Sequence, residues 1–242
     1  MNYKIDNEFI RSIYKSSDLN TSKVWTSNIC PNRIKGIGYA LEGLYKLAVN
    51  QDEKPDQINK GQYQPSMIQV ISCRLYNLGC SSLLLLNSGY YDESRNILRS
   101  MGEITNLLCF FDKYPSEFKR WCNSSKKERM NNFSPATIRK KLIKKGEEIP
   151  AAYEWYSSLC EEVTHLTPLT FPNKREVNGK LTAIAGAQYD QETYMSVSHE
   201  LWYHLLFSIT YLSSFTGTND QLIKFLENVE TEVELYKPNE KS

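Results

Sequence analysis

The chain has 242 residues, of which 40% are hydrophobic, and carries 29 lysines and arginines against 28 acids. The apolar share supplies a packed core and excludes a disordered tail. A near-neutral balance leaves no overall field to steer the molecule to nucleic acid or an anionic membrane, so any electrostatic partner must be met by a local patch.

The segment MNYKIDNEFIRSIY carries charges where a signal peptide needs an unbroken apolar region, so no export is expected. Six cysteines (Cys30, Cys73, Cys80, Cys109, Cys122, Cys160) lie far apart without a CxxC pair. They read as small buried hydrophobes in a reducing compartment, and a cytoplasmic location is the expectation. The apolar run Leu201 to Phe215 spans 15 residues and contains His204, short of the roughly 20 a membrane helix needs, so no membrane is expected.

In chain order, Ile5, Phe9, Ile10, Ile13 and Tyr14 recur at helical spacing and predict a short amphipathic helix over 4–16, with Asp6 as N-cap. A loop through Pro31 follows. Ile34, Ile37, Ala40, Leu41, Leu44, Tyr45 and Ala48 predict a helix over 33–49, with Gly36, Gly38 and Gly43 weakening its propensity and easing a neighbour's approach. Residues 50–64 are polar, with Pro55 and Gly61, and read as a loop.

The organising stretch runs from Ile68 to Phe111 as two long helices joined at Asn87, Ser88 and Gly89. The first begins near Pro65 and is apolar nearly all round, as a helix buried on most sides would be. The second has a broad apolar face (Tyr90, Ile97, Leu98, Met101, Ile104, Leu107, Leu108, Phe111) and a narrow polar stripe of Arg95, Arg99, Glu103 and Asn106.

Between Lys113 and Lys145 stand eleven basic residues and two acids, Glu117 and Glu128. Within this segment Ser134, Pro135 and Gly146 mark the cap, first turn and stop of a short basic helix. Residues 150–166 restore an apolar helical pattern ending at His165. The Asn178-Gly179 pair within 171–190 favours a two-stranded ribbon, with a plain loop as the alternative. Helices follow over 191–215 and 220–235. The expected architecture is all-α, a single helical bundle of about eight or nine helices with a core over 65–216, N-terminal helices over 4–50 and a C-terminal helix over 219–236.

Several constellations bear on chemistry. Arg95, Arg99 and Glu103 share one helix face, and Arg99 with Glu103 is spaced for an i, i+4 ion pair. A solvated stripe is the plain reading; a helix so central has little water to face, which favours charges that pair internally or line a site. Lys126, Lys127, Arg139, Lys140 and Lys141, interleaved with Phe118, Trp121 and Phe133, form a basic segment that suits phosphate contact, although a solvated lysine-rich face is the usual meaning of such a run. Glu162 and His165 make one Glu-x-x-His motif of the kind carboxylate di-iron bundles use twice, and Glu200 with His204 is the nearest substitute for the second copy. His199 and His204, five apart, do not form HExxH. A histidine at a helix C-terminus is the more common meaning of His165, so no metal and no cofactor are expected. There is no GxSxG elbow, Walker A loop or GxGxxG motif.

Two passages, YYDESRNILRSMGEITNLLCFF and YSSLCEEVTHL, resemble the signatures of an uncharacterised bacterial all-helical domain family: an Arg-x-x-x-Glu helix, then a tyrosine, a Leu-Ser-like step and a histidine. The resemblance covers about residues 75–166 and extends toward Phe215. The family lies, by general likeness, near the HEPN domains, many of them ribonucleases of toxin and phage-defence systems. It implies a helical bundle, a homodimer, an RNA or protein partner, and a polar cluster of Arg99, Glu103 and His165 with Arg95 beside it. HEPN nucleases place an arginine about four to six residues before a histidine, and His165, His199 and His204 lack one. The leading expectation is therefore a binding or effector module of a bacterial defence or stress system. The alternatives are a ribonuclease acting through His165 and Arg99, and a di-metal oxidase using Glu103, Glu162, His165, Glu200 and His204.

Overall fold

The computed structural model describes residues 8–49, 63–147, 149–165, 167, 175–177, 180–183 and 185–217. Among these, nine α-helices form an all-α bundle: α1 (Glu8–Ser27), α2 (Pro31–Val49), α3 (Pro65–Ser88), α4 (Tyr91–Lys113), α5 (Pro115–Asn123), α6 (Lys126–Asn132), α7 (Pro135–Lys144), α8 (Tyr153–Leu159) and α9 (Gln191–Thr216). A π-helical turn, Cys160–Thr164, extends α8. Two short antiparallel strands, β1 (Arg175–Val177) and β2 (Lys180–Thr182), pair Val177 with Lys180. The ribbon expected within 171–190 is therefore present, while the C-terminal helix expected over 219–236 lies outside the described residues.

Helices α2, α3, α4 and α9 pack on one another and enclose the core, in which Ile37, Leu44, Leu75, Leu86, Leu98, Met101, Leu108, Leu201, Leu205 and Ile209 are fully buried. Close approach needs small residues. A Cβ on Gly79 of α3 would meet Leu41 Cδ2 of α2 at 2.7 Å and Leu205 Cδ2 of α9 at 3.1 Å. Ser82 Oγ and Ser94 Oγ meet at 2.8 Å between α3 and α4, and Thr105 Oγ1 meets Ser208 Oγ at 3.1 Å between α4 and α9. These pairs satisfy buried hydroxyls that would otherwise be costly. Arg33 ties α2 to α9 by donating to Met195 O at 2.7 Å and Ser198 Oγ at 3.0 Å.

The turn between α3 and α4 follows from Gly89, whose φ of 83° is open to glycine without strain and whose Cβ would lie 2.1 Å from Gln188 O. The caps of α7 (Ser134) and α9 (Asp190) accept from Thr137 N and Thr193 N, as N-caps do.

Four expectations need correction. Helix α3 is not enclosed on most sides: Val70, Cys73, Arg74, Asn77, Ser81 and Leu84 lie along an exposed stripe. It is also α3, not the 201–215 run, that is long and apolar enough by length and composition to cross a membrane, and only a third of that window is buried. Helix α1 is longer than the predicted 4–16 and buries only Asn20 and Val24, leaving Phe9, Ile13 and Tyr14 exposed. Of the six cysteines, all free, Cys109 is buried as expected and Cys73 is exposed.

Candidate functional site

The polar stripe of α4 faces protein. At its lower end Asn106, 2% exposed, donates from Nδ2 to Ala151 O at 2.9 Å and accepts from Ala151 N at 2.8 Å, which clasps the entry to α8. One turn up, Gly102 leaves room for an aromatic side chain: a Cβ there would stand 2.7 Å from Trp155 Cζ3 and 2.9 Å from Ala151 Cβ. Helix α8 thus lies on α4 through a glycine and an asparagine, and this seating brings its side chains against the charged part of the stripe.

Two linked polar groups result. In the first, Arg95 Nη1 bonds Glu162 Oε2 at 3.2 Å, its Nε stands 3.6 Å from Glu200 Oε1, and Trp155 Nε1 donates to Glu200 Oε2 at 3.1 Å. Burial lifts the Glu200 carboxyl above its usual range; Arg95 and the Trp155 bond oppose that shift, and Glu162 adds to it. In the second, Arg99 Nη2 lies 3.3 Å from Glu103 Oε1, Tyr156 Oη donates to the same Glu103 oxygen at 2.8 Å, and Arg99 Nη2 donates to Tyr156 Oη. The Arg99 guanidinium centre is 4.7 Å and that of Arg139 from α7 is 4.0 Å from the Tyr156 ring centroid. Burial works against the charge of Arg99, yet bonds to the Cys160 side chain and Tyr156, with Glu103 nearby, hold it above the ordinary arginine value. Burial, then the bond to Glu103, raises the Tyr156 hydroxyl.

The π turn belongs to this arrangement. His165 N bonds Cys160 O at 3.0 Å, closing a ring one residue wider than an α turn. The segment read as one helix over 150–166 therefore changes pitch at Cys160, in the stretch that carries Glu162 to Arg95.

Arg99 and Glu103 thus meet as their i, i+4 spacing led one to expect. His165 is exposed at the end of the π turn, and the side chain that Arg99 and Glu103 share is Tyr156. Arg95 belongs to the Glu162 and Glu200 group. Of the basic segment, Lys126, Lys127 and Lys140 are exposed, whereas Arg139 is buried and Lys141 is turned inward, bonding Asn132 O at 2.9 Å and lying over the Phe110 and Phe133 rings. Burial lowers the Lys141 pKa.

A guanidinium, Arg95, stands between Glu162 and Glu200, two of the carboxylates the di-metal alternative requires. His204 is 2% exposed and sits against the Trp155 ring at 4.6 Å, its Nδ1 without a hydrogen-bond partner. Among the described residues no three metal-capable side chains converge.

Sequence reasoning missed Tyr156 because it fell on the apolar helical pattern of 150–166, and it gave Trp155 no role. A signal for Tyr156 was at hand: it is the tyrosine that opens YSSLCEEVTHL. Compared with known proteins, the chain matches no family model, no curated protein and no solved structure.

Proposed function

We propose that this chain is a helical binding or effector module, of the kind a bacterial defence or stress system employs, and that its recognition site is the seam where α8 and α7 meet the polar stripe of α4. The observation that carries this reading is Tyr156. One half-buried ring gathers Arg99, Glu103 and Arg139 from two other helices and leaves the ion pair about a quarter exposed, 23% and 25% for the two side chains. A bundle that needed only packing would fill such a seam with apolar side chains, because half-buried ion pairs contribute little net stability. Polar groups held in place by a glycine seat, an asparagine clasp and a π turn are instead preorganised to recognise a ligand.

A binding role fits better than hydrolysis of RNA through His165, because the groups held together are arginines, a carboxylate and a phenol. The test is a thermal-shift panel of neutral and charged small molecules and short RNAs on the purified chain and on Arg99→Gln, with an RNA cleavage gel alongside. At least one ligand class is expected to raise the melting temperature of the parent chain and not of the variant, with RNA left intact. RNA cut by the parent chain and spared by His165→Ala would replace this reading with the nuclease. No ligand response, or an equal one in Arg99→Gln, would remove it.

A further inference from the structure

The charges in the seam are not evenly shared. Around Arg95 stand two carboxylates, Glu162 and Glu200, and one guanidinium. Around Tyr156 stand, among the described residues, two guanidinia, Arg99 and Arg139, and one carboxylate, Glu103. Glu103 is occupied, since its Oε1 accepts from Tyr156 and lies in ion-pair range of Arg99. Among the described residues Arg139 has no such oxygen. It is 7% exposed, and its Nη1 is buried without a hydrogen-bond partner, as is the Nε of Arg99. A buried guanidinium nitrogen without an acceptor is costly, and two such nitrogens belong to guanidinia that flank one ring.

We propose that the Tyr156 end of the seam binds a phosphate group, gripped by Arg139 and Arg99. The inference rests on the binding-module reading and names its ligand class. Planar guanidinium forks match phosphate oxygens in pairs and stack on aromatic faces, and stacking on Tyr156 already fixes both forks before the ligand arrives. Two guanidinia carry two positive charges, which a carboxylate only half neutralises, while a phosphate monoester presents three oxygens and up to two charges. The local excess of one positive charge is what such a ligand would neutralise. The exposed part of Arg99 gives the approach. Lys126, Lys127 and Lys140 of the basic segment take no part in the grip.

The test uses the full chain in a phosphate- and sulfate-free buffer. Inorganic phosphate, AMP, adenosine and acetate are titrated by calorimetry and thermal shift against the parent chain, Arg139→Gln, Arg139→Lys and the double variant Lys126→Ala/Lys127→Ala. Phosphate and AMP are expected to bind, with adenosine silent and acetate at least about tenfold weaker than phosphate. Both Arg139 variants should lose about tenfold or more, the lysine included because it keeps the charge and loses the fork. The double lysine variant should stay within about twofold. AMP tighter than phosphate would identify a phosphomonoester, and equal affinity would identify free phosphate; both support the site. Should the Arg139 variants not fold, phosphorus NMR line broadening on the parent chain and on Arg99→Gln decides: broadening lost in the variant supports the grip, and broadening unchanged overturns it. Phosphate silent while another ligand binds in an Arg99-dependent way overturns this inference and leaves the module standing. Acetate equal to phosphate, or phosphate binding that follows Lys126 and Lys127, overturns it as well.

Discussion

Replacing Asn106 by alanine tests whether the seam is held by the clasp on Ala151. The two bonds it removes, at 2.9 and 2.8 Å, serve the carbonyl and amide of a residue 1% exposed, so neither backbone group can turn to water. A buried backbone group left without a partner costs about 1–3 kcal/mol, and two of them set the loss at about 3 kcal/mol or more. For a chain of this length each kcal/mol moves the melting temperature by about 2–4 °C, which gives a fall of about 6–12 °C in a calorimetric or fluorescence melt. Asn106→Asp sharpens the result. It retains an acceptor for Ala151 N but sets a buried carboxylate against Ala151 O. The variant is expected to be less stable than Asn106→Ala at pH 7 and to recover as pH falls, when the protonated carboxyl donates to that carbonyl. A fall under about 2 °C for the alanine variant, with no recovery on acidification for the aspartate, would show that Ala151 finds other partners and that the clasp is incidental.

Other perturbations reach the same seam from different sides. Gly102→Ala places a Cβ 2.7 Å from Trp155 and 2.9 Å from Ala151 Cβ; the expected loss is about 1–3 kcal/mol by urea unfolding, with a shift in tryptophan emission, and unchanged values would mean α8 moves aside freely. His204 supplies a pH test. Burial drops its folded-state pKa from 6.5 to about 3, so the unfolded chain is the better proton binder, and the stabilisation is whole above pH 6.5 and lost as pH falls toward 3. Between pH 7 and pH 5 the stability difference between the parent chain and His204→Leu should shrink by about 2 kcal/mol, and a constant difference would refute the burial argument. Gly89→Ala forces a Cβ to 2.1 Å from Gln188 O at a positive φ, and a melting temperature unchanged in that variant would contradict the turn described for α3 and α4.

The fold was legible where local chemistry and burial agree. Pro65 opening α3, Gly89 closing it, and Ser134 and Pro135 opening α7 each name a backbone geometry that few other residues favour. The exposure of α3 was not legible, because an apolar residue such as Leu84 reads the same whether a neighbour covers it or not; that depends on where α1 and α2 lie. The stripe of α4 could be read as a set of residues sharing a face, since spacing alone places Arg95, Arg99, Glu103 and Asn106 together. Its partners could not, since Tyr156, Glu162, Glu200 and Arg139 come from three other segments and no periodicity within one helix reports what crosses it.

Tyr156 shows why an aromatic residue is the hardest to assign from sequence. Its ring satisfies the apolar pattern of α8 while its hydroxyl and its faces serve three charged groups, so the same position fulfils a packing rule and a recognition rule. That dual role also explains the geometry. A short donor or acceptor in its place, serine or asparagine, would reach neither Glu103 nor both guanidinia, and leucine would leave Arg139 over a surface with no quadrupole to hold it. Separating the two functions is therefore an experiment in itself. Tyr156→Phe keeps the ring that Arg139 lies over and removes the hydroxyl that joins Arg99 Nη2 to Glu103 Oε1, so it should cost little stability, about 1 kcal/mol, while weakening phosphate binding by releasing Arg99 from its place. Tyr156→Leu should lower both together, and a phenylalanine variant equal to the parent chain in phosphate affinity would show that the hydroxyl has no part in setting the position of Arg99.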